Sequence, residues 1–217
     1  LRENYGAEVV RLAGDVGQQG GLEGLEARAL ATGATAFYGE DLRQEFVEDY
    51  VWPTLKIGAV YGRKYLLGTA IARPLLAKRQ VDIVKLVSAD ALAHGCTGKG
   101  NDQVRFELTY AALAPDLEVI APWRIDAFRN RFPGRTEMIE YCEANELPIK
   151  SPREARYSTD ANLLGLTHEA GDLEDVTVSP DFVEPGMGVW PWNAPDQQRQ
   201  VTVRWEEGVP VALDGER

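Results

Sequence analysis

Cysteine and histidine are scarce in this 217-residue chain, with two of each. Cys96 and Cys142 lie far apart and form neither a CxxC pair nor a Cys/His ligand spacing, which excludes a disulfide framework and a zinc site built on these residues. Reduced thiols are the expectation. Long apolar runs are also missing, so no segment has the length needed to cross a bilayer as a helix. The opening LRENYGAEVV lacks the basic and apolar parts of a secretory signal, and a cytoplasmic location is expected. Positive charge is in deficit: 23 Lys and Arg against 34 Asp and Glu give a formal net charge of -11. That field opposes general attraction to nucleic acid or anionic lipid, while leaving room for a local cationic pocket. Internal repeats and low-complexity tracts are absent.

The chain does contain enough apolar residues, 44%, for a substantial core. Short apolar runs recur at AEVVRLA (7 to 13), ATAFYG (34 to 39), DALAHG (90 to 95) and LEVIAP (117 to 122). They alternate with helical stretches at 22 to 33, 41 to 51, 73 to 87 and 101 to 113. Strand then helix, repeated, predicts an α/β fold: a parallel sheet with helices on both faces. In the third helix Lys78, Asp82 and Lys85 make one narrow polar stripe among Leu75, Leu76, Ile83, Val84 and Val87, which predicts a mostly buried helix. Pro74 is read as a first-turn proline, so the helix is expected to begin near Arg73 and YLLGTA to form a loop.

Beyond about residue 146 the texture changes. ELPIKSPREARYS is proline-rich and unperiodic, and ANLLGLTH, QVTVRW and VPVALDG favour strands. A domain boundary is placed there, giving 1–146 and 147–217. The stretch from 180 to 198, rich in Pro, Gly and Trp, reads as a long ordered loop.

Ligands of open parallel sheets sit beyond the carboxyl ends of the strands, and the glycine-rich segments GDVGQQGG and HGCTGKGND fall there. HGCTGKGNDQVRFE (94 to 107) is not a Walker loop, because only Cys96 and Thr97 separate Gly95 from Gly98, and it lacks the GxGxxG spacing. Its glycines still let backbone amides approach an anion, with a helix dipole starting near Asn101. Asn101 and Asp102 have a plainer reading as N-cap and first-turn acid, with Arg105 pairing back to Asp102 at i+3. The density of Thr97, Lys99, Asn101, Asp102 and Arg105 favours a site for an amino-acid zwitterion, Asp102 holding an ammonium and Arg105 a carboxylate. A His94–Cys96 nucleophile is discounted for want of an orienting third group, and His168 is read as structural.

These residues, together with YLLGTAIARPLLAKRQV (65 to 81), VIAPWR (119 to 124), YSTDANLL (157 to 164), GVPVALDGE (208 to 216), GDVGQ (14 to 18) and EDLRQEFVEDYVWP (40 to 53), resemble the argininosuccinate synthase family over the whole chain. The resemblance implies an adenine nucleotide alpha hydrolase-like domain followed by the start of an α+β synthetase domain. It implies joining of citrulline to aspartate with ATP through a citrullyl-adenylate, with release of pyrophosphate and AMP. Mg2+ would accompany ATP, and the full-length protein would be a homotetramer.

Position by position the resemblance assigns Gly14 and Gly95 to the nucleotide, and Thr97, Asn101 and Asp102 to aspartate. Tyr65, Thr69, Asn101, Arg105, Ser158 and Thr167 fall to citrulline. Plainer readings stand beside several of these: Gly14 as a turn, Tyr65 as a core aromatic, Ser158 as a cap. No metal ligand is assigned. The family's Ser-Gly-Gly-x-Asp pyrophosphate loop and its C-terminal helix are not in these 217 residues, which alone are expected not to turn over. Ala70 stands where the family usually has serine, and Thr167 replaces another serine while keeping the hydroxyl. A sister ligase with a different ureido or carboxylate substrate, or a non-catalytic nucleotide or amino-acid binding module, are the rival expectations.

Overall fold

The computed structural model describes residues 1–98, 100–148 and 156–216. Lys99 and the centre of the proline-rich stretch at the expected boundary therefore lie outside the described residues. After a four-residue helix α1 (Arg2–Tyr5), strand β1 (Val10–Asp15) leads through α2 (Leu25–Ala31) to β2 (Ala36–Asp41), and the two strands pair in parallel. The next helical run starts as α3 (Arg43–Glu45), turns π-helical over Phe46–Val51 and ends as α4 (Trp52–Lys56). It thus extends past the expected stop at residue 51. Bonding of i to i+5 brings residues five apart towards one face, and here Phe46 and Val51 enter the same core cluster.

The long helix α5 (Gly68–Val87) corrects the expectation of a start near Arg73. Pro74 sits inside it, so Thr69 and Ala70 belong to its first turn and not to a loop. Proline tolerates this position because buried neighbours hold the turn: Ala72 and Leu75 are fully buried on either side. Pro74 has no N–H to offer the Ala70 carbonyl one turn back. The helix is largely covered, as its narrow polar stripe predicts. It supplies Ala72 and Leu75 to one core cluster with Val16, Leu42, Phe46 and Val51, and Ala77, Val81 and Val84 to a second with Leu92 and Tyr110. Each of the valine and leucine side chains among them contributes roughly 1.5–3 kcal/mol when fully buried.

Strand β3 (Ala91–Ala93), helix α6 (Asp102–Leu113) and strand β4 (Glu118–Ile120) follow, with β3 and β4 again parallel. The expected single parallel sheet is therefore met as two parallel pairs not hydrogen-bonded to one another, and α5 bridges them by packing on both β1 and β3. Helices α7 (Asp126–Arg131) and α8 (Arg135–Ala144) complete this part.

The later segments form antiparallel hairpins: β5 (Ser158–Asn162) with β6 (Gly165–Glu169), and β7 (Val203–Glu206) with β8 (Val209–Leu213). ANLLGLTH is thus two strands and a turn. The 180–198 stretch carries two short 3-10 turns, Pro180–Phe182 and Pro191–Asn193, with Trp190 and Trp192 stacked at 4.9 Å.

Candidate functional site

Antiparallel register decides which side chains of the β5–β6 hairpin face the same way. Asp160 pairs with Thr167 and Ser158 with Glu169, so Ser158, Asp160, Asn162 and Thr167 share one face. That face lies against the start of α5. A Cβ added to Gly68 would stand 3.1 Å from the amide oxygen of buried Asn162, which itself accepts the Leu164 N–H at 2.9 Å. The hairpin turn is also tied to the loop after β1, where the Leu163 N–H donates to the Val16 carbonyl at 2.9 Å.

Between the helix start and the hairpin lies a pocket of about 160 Å3 lined by Lys64, Tyr65, Gly68, Thr69, Leu164 and Thr167, among others. Tyr65, Thr69 and Thr167 are therefore brought together. Thr69 and Arg73 are one helical turn apart on α5, so the polar wall continues into a cluster of charges.

Arg73 is the centre of that cluster. Its guanidinium donates to Asp102 Oδ2 at 2.7 Å and to Asp160 Oδ2 at 2.9 Å, and its side chain is only 21% exposed. Arg105 donates to the other oxygen of Asp102 at 2.6 Å. Burial works against the Arg73 charge, but the paired carboxylates outweigh it and raise its pKa above the ordinary value. The i+3 pairing of Arg105 with Asp102 that the sequence permits is thus present, and Arg73 and Asp160 are members that sequence reasoning missed. Spacing gives no signal for them, since Asp160 lies 87 residues from Arg73.

The other expected site residues fall around these groups. Asn101 precedes α6 without making a side-chain cap, so its capping role is not realised and its exposed amide is left to other work. Thr97 and Gly95 are exposed at the loop, and a Cβ on Gly95 would meet nothing within 4 Å. Ser158 is exposed at the start of β5. Gly14 is different. It lies within β1, where an added Cβ would be 2.5 Å from Leu76 and 2.7 Å from Leu42, so close helix-on-strand packing accounts for it without a ligand.

The third group whose absence argued against a His94–Cys96 nucleophile is in fact present, since Glu107 Oε1 lies 3.2 Å from His94 Nε2. Geometry still excludes thiol activation: Cys96 reaches the imidazole Nδ1 through its backbone N–H, at 3.3 Å, and not through sulfur. Burial, then the nearby Asp102 charge, pushes the Cys96 thiol up from its ordinary value. His168 accepts or donates a 2.8 Å bond with Thr159 and meets Tyr157 edge-on, a structural setting.

Among the described residues no group of three or more His, Cys, Asp or Glu side chains is arranged to hold a metal ion, and no helix is long and apolar enough to cross a membrane. Residues 1–148 match the sequence profile described as "Arginosuccinate synthase N-terminal HUP domain", and residues 157–217 match "Arginosuccinate synthase C-terminal domain". Among curated relatives, the argininosuccinate synthases of Roseiflexus castenholzii and Pelotomaculum thermopropionicum are each 50% identical to it, and that of Clostridium botulinum strain Alaska E43 is 49% identical. Each alignment covers 100% of this chain and 53% of the relative, so the chain spans about half the length of the curated relatives it matches. Two consecutive profile matches that together span most of the chain place it in the argininosuccinate synthase family.

Proposed function

We propose that this chain carries the amino-acid and part of the nucleotide sites of an enzyme that ligates citrulline to aspartate with ATP in arginine synthesis. The observation that carries this reading is the shared wall formed by Tyr65, Thr69 and Thr167, continued through Arg73 into the Asp102–Arg105 pair. Citrulline lies along that wall, with Ser158 and Asn101 at its margins and its carboxylate drawn to Arg105. The amide-rich first turn of α5 adds a favourable dipole for the same carboxylate. Aspartate is taken by Thr97, Asn101 and Asp102. A carboxylate offers about four acceptor sites, and two on Asp102 are used by the arginines, which leaves room for an ammonium.

In the reaction the citrulline ureido oxygen attacks the α phosphorus of ATP and pyrophosphate leaves. The aspartate amine then attacks the ureido carbon of the adenylate, and AMP leaves. Gly95, open to approach by phosphate, supports a nucleotide contact in the second glycine loop. The assignment of Gly14 to the nucleotide rests on the resemblance alone. Mg2+ would accompany ATP and screen its phosphates. The two profile matches support a division into a nucleotide-binding domain, 1–146, and the beginning of a synthetase domain, 147–217. A cytoplasmic homotetramer is the proposed full-length form.

Exchange of labelled pyrophosphate into ATP by the complete gene product tests the reading. Exchange that depends on citrulline, followed by argininosuccinate formation when aspartate is added, is the expected result. Exchange driven by a different ureido or carboxylate compound, with citrulline inert, would point to a sister ligase. Nucleotide binding with no exchange would mean a binding module.

A further inference from the structure

His94 is a buried titratable group with no part in the chemistry above. Its side chain is 3% exposed, at the junction of β3 with the second glycine loop. Phe106 stacks against it at 5.9 Å and Tyr110 lies at 6.4 Å, both from α6. Its two ring nitrogens are engaged in a way that admits one neutral tautomer. The Cys96 N–H can only donate, so Nδ1 must be an unprotonated acceptor, and the ring proton is then on Nε2, directed at Glu107 Oε1. Glu107 is itself held by Arg124 from the turn after β4, at 2.6 Å. Burial opposes its ionisation, but the bonds from Arg124 and His94 keep it below the ordinary carboxylate value. A second anchor pins the same strand end: Gln80 donates to the Ala93 carbonyl at 2.9 Å and accepts from the Tyr110 hydroxyl at 2.5 Å.

We propose that Glu107 and His94 are positioning residues for the Gly95–Gly98 turn: Glu107 anchors the imidazole through its Nε2–H, so that Nδ1 draws the Cys96 amide inward, which leaves Gly95 outward to phosphate and Thr97 outward to aspartate. The logic is that of an outer partner fixing the orientation of a histidine so that its other nitrogen is available for a defined task. The nucleotide part of this inference rests on the function proposed above. The loop-positioning part does not.

The test uses the complete gene product labelled with 15N-histidine, with the His94 signals assigned by their loss in His94→Gln. In the parent protein His94 shows the Nε2–H pattern. In Glu107→Leu the ring loses its anchor, the Nε2–H and Cys96 amide signals move, and KM for ATP rises about tenfold with a smaller change in kcat, as for one lost hydrogen bond near a site. Glu107→Gln keeps an acceptor and a similar shape, so it returns both signals to the parent positions and brings KM back to within about twofold of the parent. Arg124→Gln, which removes only the outer ion pair, leaves the Cys96 amide signal in place. A Glu107→Leu protein whose Cys96 amide signal stays at the parent position overturns the proposal, and so does one in which that signal moves while KM for ATP stays put. If Glu107→Leu does not fold, the Glu107→Gln variant carries the test: a displaced Cys96 amide signal there overturns it. A parent protein that ignores ATP while its Cys96 amide responds to Glu107→Leu sinks the nucleotide reading and supports the positioning of the turn.

Discussion

Two glycine-rich loops follow parallel strands in this molecule, and they are built for opposite ends. The loop after β1 is closed by its own side chains: Gly17 N–H donates to Asp15 Oδ1 at 2.8 Å, Val16 N–H to Gln18 Oε1 at 2.9 Å, and Gln18 Nε2 to the Gly14 carbonyl at 3.0 Å. The hairpin turn at Leu163 then covers it, leaving less than 2.5 Å between the Leu163 side chain and a Cβ placed on Gly17. The loop after β3 is anchored from behind by His94, Glu107 and Gln80, and its Gly95 faces open space, although a Cβ on Gly98 would stand 3.0 Å from the Trp123 carbonyl. Glycine content is therefore no guide to function by itself. At Gly17 it answers packing, and at Gly95 it leaves backbone open to a ligand.

Substitutions can break that contrast. The largest effect is expected for Asp102→Ala in the complete gene product: aspartate use falls by two orders of magnitude or more, on the order of 3 kcal/mol for the lost ammonium partner and the two partly buried arginines that each lose a carboxylate. Citrulline-dependent pyrophosphate exchange should persist, and its simultaneous loss would show Asp102 to be needed for the first half-reaction. Next comes Gly17→Ala, where a positive φ of 88° and the Leu163 side chain act together. A loss of about 2–4 kcal/mol is expected by denaturant unfolding. Leu163→Ala should recover part of it in a double-mutant cycle.

Gly95→Ala is the matched experiment on the other loop. Stability should stay within about 0.5 kcal/mol, since nothing crowds the new methyl group, while KM for ATP rises. Equal destabilisation by the two alanines would erase the distinction drawn here.

The smallest effect concerns Arg43, which bridges Asp41 at 2.7 Å and Asp15 at 3.8 Å beside the first loop. Its hydrogen bonds hold the Asp41 carboxyl down from 3.8 to about 2. A depressed folded-state pKa adds stability above the unfolded value, and that part is lost as pH falls from about 3.8 to about 2. Asp41 is fully exposed, so the contribution is small and weakens with salt. A stability difference between Asp41→Asn and the parent that grew below pH 2 would contradict this.

Much of the α/β order was legible because periodicity is local. Strands β3 and β4 and the helices at 25–31 and 102–113 fall inside the segments the apolar pattern marks, while β1 and β2 overlap theirs and run two residues beyond them. Pro74 misled because proline's tolerance of a first turn says nothing about whether a helix continues upstream of it, and Gly68 and Thr69 carry no strong start signal. The site residues on α6 were readable from their density, whereas Arg73 and Asp160 were not, because their pairing is made only when a hairpin far along the chain folds back. The same holds for Glu107, which looks like any exposed helix acid until His94 is seen beside it. Register supplied what spacing could not: Asp160 opposite Thr167 explains why a charge cluster and a hydroxyl-lined pocket adjoin.

The bond from the Leu163 N–H to the Val16 carbonyl also has a temporal meaning. A chain emerging from the ribosome exposes the first glycine loop long before the segment that caps it exists, and contacts between such distant residues form late. Nascent chains stalled ahead of Leu163 should be cut by protease within Asp15–Gly21, and extension through Glu169 should protect them.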